Sequence, residues 1–80
     1  MGDFGSVDWK TLEHFVIEIG CTFVRIKGDH RVYTKPGLKR PIIIPMYDPI
    51  PPFIIMNNLR ILGVTKAELL GYLGHDYRAE

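Results

Sequence analysis

One histidine and six cations crowd a single stretch of this 80-residue chain. Between residues 25 and 40 stand Arg25, Lys27, Arg31, Lys35, Lys39 and Arg40, with His30 among them and Asp29 as the lone acid. That segment is net +5, and because the whole chain is formally +1 the remainder is net −4: a basic stretch on an acidic body. Imidazole is the side chain whose ordinary titration range spans neutrality, so His30 can take a proton from a ribose 2′-OH or return one to a leaving oxygen. Arginine and lysine beside it can hold phosphates and stabilise charge that develops on phosphorus. These are the components of a ribonuclease that needs no metal. The same cations without the chemistry would serve a non-catalytic RNA-binding module, or a protein-interaction domain that meets an acidic partner.

Other chemistries lack their residues. There is no pair of carboxylates placed for acid–base work, no phosphate-cradling glycine loop, no dinucleotide fingerprint and no serine or cysteine nucleophile motif. Cys21 is the sole cysteine, which excludes an intramolecular disulfide, and no Cys/His group has metal-ligand spacing. Neither a metal nor another cofactor is therefore expected. The longest apolar runs, residues 42–46 and 49–56, fall far short of the roughly 20 residues that a spanning helix needs, so a membrane is not an expected partner. Residues 1–5 carry no basic, then apolar, leader, and a reducing cytoplasm suits the lone thiol.

The elements that must position this chemistry can be read from spacing. Eighty residues make one domain, with an ordered core over about 6–74 and a thin hydrophobic interior. Ser6 or Asp8 can cap a helix running to about Ile19, because Trp9, Leu12, Phe15, Val16 and Ile19 recur on one face of a 3.6-residue period. Gly20 suits a left-handed ending. His14 falls on the opposite, solvated face. Residues 21–27 alternate, with Thr22, Val24 and Ile26 expected on one side and Phe23, Arg25 and Lys27 on the other.

Gly28-Asp29 reads as a two-residue turn with glycine first, which pairs Lys27 with His30 and Arg25 with Val32. Strands are expected at 21–27, 30–35 and 41–45, the last carrying three isoleucines destined for the core. Three prolines stiffen the crossover of residues 46–52, and Pro52 opens a helix over about 53–62, with Ile54, Ile55, Leu59 and Leu62 buried. Thr65 and Glu68 form a capping box before a last helix, and residues 74–80, with His75, read as a frayed tail. The class is α+β, in the order α-β-β-β-α-α: a three-stranded antiparallel sheet with helices on one face. Trp9, Phe15, Val24, Ile43, Leu59 and Leu62 should be buried.

Over about residues 8–73 the layout resembles the HicA (YcfA-like) family of mRNA interferase toxins. The resemblance rests on the helix ending at Gly20, Phe23 entering the first strand, Lys27-Gly28-x-His30 at the hairpin and Tyr33 three residues after the histidine. A branched-aliphatic strand closing on Pro45 and the helix bearing Asn58-Leu59-Arg60-Ile61-Leu62 complete it. The resemblance implies a double-stranded-RNA-binding-domain-like fold and a cytoplasmic endoribonuclease of a type II toxin–antitoxin pair. Its catalytic residue would be His30, with Gly28 shaping the turn, and Arg25, Lys27, Arg31, Lys35, Lys39 and Arg40 would contact RNA. Its partners would be RNA, chiefly mRNA, and an antitoxin of the HicB type, without direct contact to DNA. The sequence departs from the family in two places. Asp29 and Arg31 stand where serine and a second histidine are frequent, and Met46 and Tyr47 follow Pro45 where many members carry a histidine. Asp29 either orients His30 or repels an RNA phosphate.

Overall fold

The computed structural model describes residues 6–77, with side chains to residue 74. Its elements are α1 (Trp9–Glu18), β1 (Thr22–Lys27), β2 (His30–Thr34), β3 (Ile42–Pro45), α2 (Pro52–Leu62) and α3 (Lys66–Tyr77). The three strands form one antiparallel sheet in the order β1-β2-β3, an α+β arrangement compatible with the double-stranded-RNA-binding layout.

Local sequence sets the helix ends. Asp8 is the N-cap of α1, its carboxylate accepting from the Thr11 N–H at 2.9 Å. That hydrogen bond to the ionised form holds the Asp8 carboxyl below its ordinary range. At the other end Gly20 adopts φ +109°, and the N–H groups of Gly20 and Cys21 return to the carbonyls of Ile17 and Val16. This is the paired closure that a left-handed glycine permits. The capping box of α3 is reciprocal: the Thr65 N–H donates to Glu68 Oε1 at 2.7 Å, and the Glu68 N–H donates to Thr65 Oγ1 at 3.1 Å.

Leu12, Phe15, Val16, Tyr33, Ile42, Ile44, Ile55, Leu59, Leu69 and Leu73 form one buried cluster, with Trp9 and Ile19 partly buried against it. The helices cover the sheet face that carries Tyr33, Ile42 and Ile44. Two expected core residues are not in the core. Val24 is 47% exposed and Ile43 is 44% exposed. The register of the β1–β2 pair shifts between Phe23 and Arg25, so Val24 occupies a bulge and the alternation expected along β1 breaks there. Phe23 consequently lies opposite Tyr33, on the helix side, and not beside Arg25 and Lys27. Ile43 is the middle of three isoleucines on a strand whose alternate positions, Ile42 and Ile44, take the covered face.

A third correction concerns the end of the chain. Residues 74–77, expected as tail, continue α3 to Tyr77. The capping box and the apolar positions Leu69, Leu70 and Leu73 sustain the helix past the two glycines at 71 and 74. Expectations for residues 1–5, the His75 side chain and residues 78–80 lie outside the described residues. Within those residues no helix is long and apolar enough to cross a membrane.

Candidate functional site

The hairpin turn is built as its two residues require. Gly28 has φ +64° while Asp29 has no positive φ, the pattern of a turn with glycine first. The register is Lys27 opposite His30 and Arg25 opposite Val32. Across the sheet, His30 pairs with Pro45 and Val32 with Ile43, and the Met46 N–H donates to the Asp29 carbonyl at 2.8 Å. The turn is thus tied to the end of β3 on its far side. Pairing and alternation place Arg25, Lys27, His30, Val32 and Ile43 on the sheet face away from the helices.

The His30 side chain is 45% exposed, and its Nδ1 lies 3.1 Å from Asp29 Oδ1. The carboxylate is near enough to pair with the ring at Nδ1, which would leave Nε2 available to a substrate. Beside it is a shallow depression of about 370 Å³ lined by Lys27, Gly28, His30, Val32 and Ile43. An apolar floor under one imidazole and one ammonium can hold a planar group while the polar atoms reach its phosphate. Among the described residues no three His, Cys, Asp or Glu side chains come together as a metal site.

The remaining cations of the basic stretch separate. Arg31 points through the sheet to the other face, where its Nε–H donates to Glu13 Oε2 at 3.0 Å and to the Tyr33 hydroxyl at 3.1 Å. The Tyr33 hydroxyl donates to the same Glu13 oxygen at 2.6 Å. The Arg31 guanidinium also lies 4.4 Å from the Phe23 ring centroid and 5.0 Å from that of Trp9. Burial, and then the bond to Glu13, pushes the Tyr33 phenol well above its ordinary range. Arg31 is a structural cation that joins α1 to β2.

Lys35 follows the far end of β2, roughly 16 Å of extended chain from His30. A methyl group on Gly20 would lie 3.3 Å from its Cε, so Lys35 lies over the C-terminal end of α1. Lys39 and Arg40 lie between β2 and β3, where they meet Arg60 of α2 along a second depression. Only Arg25 and Lys27 accompany His30. Sequence reasoning missed Arg60 because it counted cations along one contiguous segment. The signal was present in α2, where Phe53, Asn57 and Arg60 recur at i, i+4 and i+7.

A family model described as the HicA toxin of bacterial toxin–antitoxin systems matches residues 9–64, from the start of α1 to just beyond α2. No curated protein and no solved structure matches the chain.

Proposed function

The chain belongs to the HicA toxin family of bacterial toxin–antitoxin systems, and from that premise we propose that it cleaves RNA with His30 as the acid–base catalyst. The observation that carries the reading is the combination at the turn: a half-exposed imidazole whose Nδ1 lies 3.1 Å from Asp29, beside a depression that Lys27 shares. The Asp29 carboxylate lies 3.1 Å from the ring, which favours an orienting role over repulsion of phosphate.

In this reading Nε2 of neutral His30 accepts the proton of a ribose 2′-OH. The 2′-oxygen then forms a bond to the adjacent phosphorus as the bond from phosphorus to the 5′-oxygen breaks. The imidazolium returns its proton to that departing oxygen, giving a 2′,3′-cyclic phosphate and a 5′-hydroxyl. Lys27 and Arg25 stand on the same face, where a cation can stabilise the charge on the pentavalent phosphorus. Family membership brings an antitoxin partner. An antitoxin of the HicB type that covers this face would silence the toxin, and the bacterial cytoplasm is where the pair would meet mRNA.

The test compares wild-type protein and His30→Ala, both treated with chelator, on one RNA substrate. Acid–base catalysis by a positioned side chain contributes roughly 10²–10⁴-fold, so the variant should lose measurable cleavage and growth inhibition. It should keep its circular dichroism spectrum and its RNA affinity, since the cations remain. Chromatography should find cyclic phosphate termini in the wild-type digest. Equal cleavage by the two proteins would remove His30 from the mechanism.

A further inference from the structure

A groove of about 690 Å³ runs between β3 and α2, with Arg40, Ile43, Phe53, Asn57 and Arg60 among the residues on its walls. Phe53 is 73% exposed, the most exposed large apolar side chain among the described residues. It stands in the first turn of α2, on the side that carries Asn57 and Arg60. Arg40 and Arg60 form no ion pair among the described residues, and no carboxylate lines the groove or the Lys39 depression that adjoins it. Asn58 is committed, its amide donating to the Ile43 carbonyl at 3.0 Å and covering that edge of β3. Asn57 is exposed and its amide is unspent.

Ile43 lines both this groove and the depression beside His30. The two thus adjoin at Ile43, on the outer face of the sheet. We propose that the groove is a nucleotide subsite of the RNA site, in which an unpaired base stacks on Phe53 and Arg40 and Arg60 hold the flanking phosphates. The proposal rests on the RNA-cleavage reading of His30 and extends it to substrate class: the RNA is single-stranded over the nucleotides that leave the His30 site. Three properties favour nucleic acid as the occupant. An exposed ring offers a stacking platform that accepts any base, guanidinium groups stand free to bind phosphate, and Ile43 is shared with the depression beside the imidazole. A duplex would present its bases already stacked and could not use Phe53.

The experiment measures anisotropy of a labelled, mixed-sequence 2′-O-methyl oligoribonucleotide of about 12 nucleotides, within the range that single-strand sites occupy and resistant to the cleavage itself. Phe53→Ala should weaken binding roughly 5- to 150-fold, the equivalent of one lost base stack, and Phe53→Trp should restore it. Arg40→Ala/Arg60→Ala should weaken binding and flatten the dependence of log affinity on log salt by about 1.4, for two phosphates on a single strand. Phe53 is exposed, so its variants should keep the wild-type melting temperature.

If the groove variants bind and cleave like wild type while His30→Ala does not cleave, the subsite is refuted and the catalytic reading stands. Lost binding in the groove variants, with unchanged cleavage by His30→Ala, would instead support the groove and refute the catalyst. No oligonucleotide binding by wild type overturns the subsite, while the cleavage comparison still decides the catalyst. Growth arrest by Phe53→Ala that the antitoxin no longer reverses, at unchanged oligonucleotide affinity, would assign the groove to the protein partner and overturn the RNA assignment.

Discussion

Tyr33→Phe tests whether the hydroxyl network on the covered face fixes the strand that carries His30. The Tyr33 side chain is buried, and its hydroxyl donates to Glu13 at 2.6 Å while accepting from Arg31 at 3.1 Å. A hydrogen bond to a charged group contributes about 1.5–3 kcal/mol, and removing the hydroxyl leaves the Glu13 oxygen with Arg31 alone. In a domain of this size 1 kcal/mol moves Tm by about 4–8 °C, so thermal unfolding followed by circular dichroism should show a fall of roughly 6–24 °C. The alkaline limb gives a second readout. The phenol is held above its ordinary range in the folded protein, so folded Tyr33 keeps its proton above about pH 10 while the unfolded chain releases it. Its contribution is thus complete below that pH and lost as pH rises through the folded value. The stability gap between wild type and Tyr33→Phe should narrow by up to about 1.4 kcal/mol per pH unit there. A variant that melts with wild type at neutral pH and shows the same alkaline slope would refute the network as a source of stability.

Gly28→Ala should destabilise the protein by about 1–2 kcal/mol and lower RNA cleavage in a fluorogenic assay. Its φ of +64° is costly for a residue with a side chain, although a methyl group would meet nothing within 4 Å. Asparagine at the same position should recover part of both, and an alanine variant equal to wild type would remove strain from the account of the turn. Asp8→Ala should lose about 0.5–2 kcal/mol at neutral pH, read by denaturant unfolding. The Asp8 carboxyl is held low in the folded state, so its contribution is present above about pH 4 and disappears as pH falls through the folded value. The gap between variant and wild type should close on that side, and a gap that persists in acid would point to lost packing and not to the cap.

Features with a local cause are legible in the residues themselves. Gly20 closes a helix because its own N–H and that of Cys21 find carbonyls behind them. Gly28 forces the turn, Asp8 and Thr65 cap the helices they precede, and a turn of two residues pairs Lys27 with His30. Long-range contacts are not legible in this way. The bulge at Val24 leaves no signature in residue types, yet it moves Phe23 to the other face of the sheet. Which two of the three isoleucines of β3 meet the helices depends on how β3 is paired, and periodicity alone cannot supply that.

The same distinction decides how the basic stretch works. Its charge is plain in the sequence, but alternation sends adjacent residues to opposite faces, so His30 and Arg31 cannot act together. Glu13 lies 18 residues from Arg31 along the chain, and only the packing of α1 on β2 reveals their contact. With Arg31 bound there, the positive field around His30 comes from Arg25 and Lys27. Lys39 and Arg40 join Arg60 at the groove beyond Ile43. One run of six cations thus divides into a pair beside His30, Arg31 behind the sheet, Lys35 over the end of α1, and Lys39 and Arg40, which join Arg60 of α2 at the groove. An RNA strand crossing from that pair to the groove would meet positive charge at both ends and an apolar floor between them, an arrangement suited to phosphates at the ends and a base in the middle.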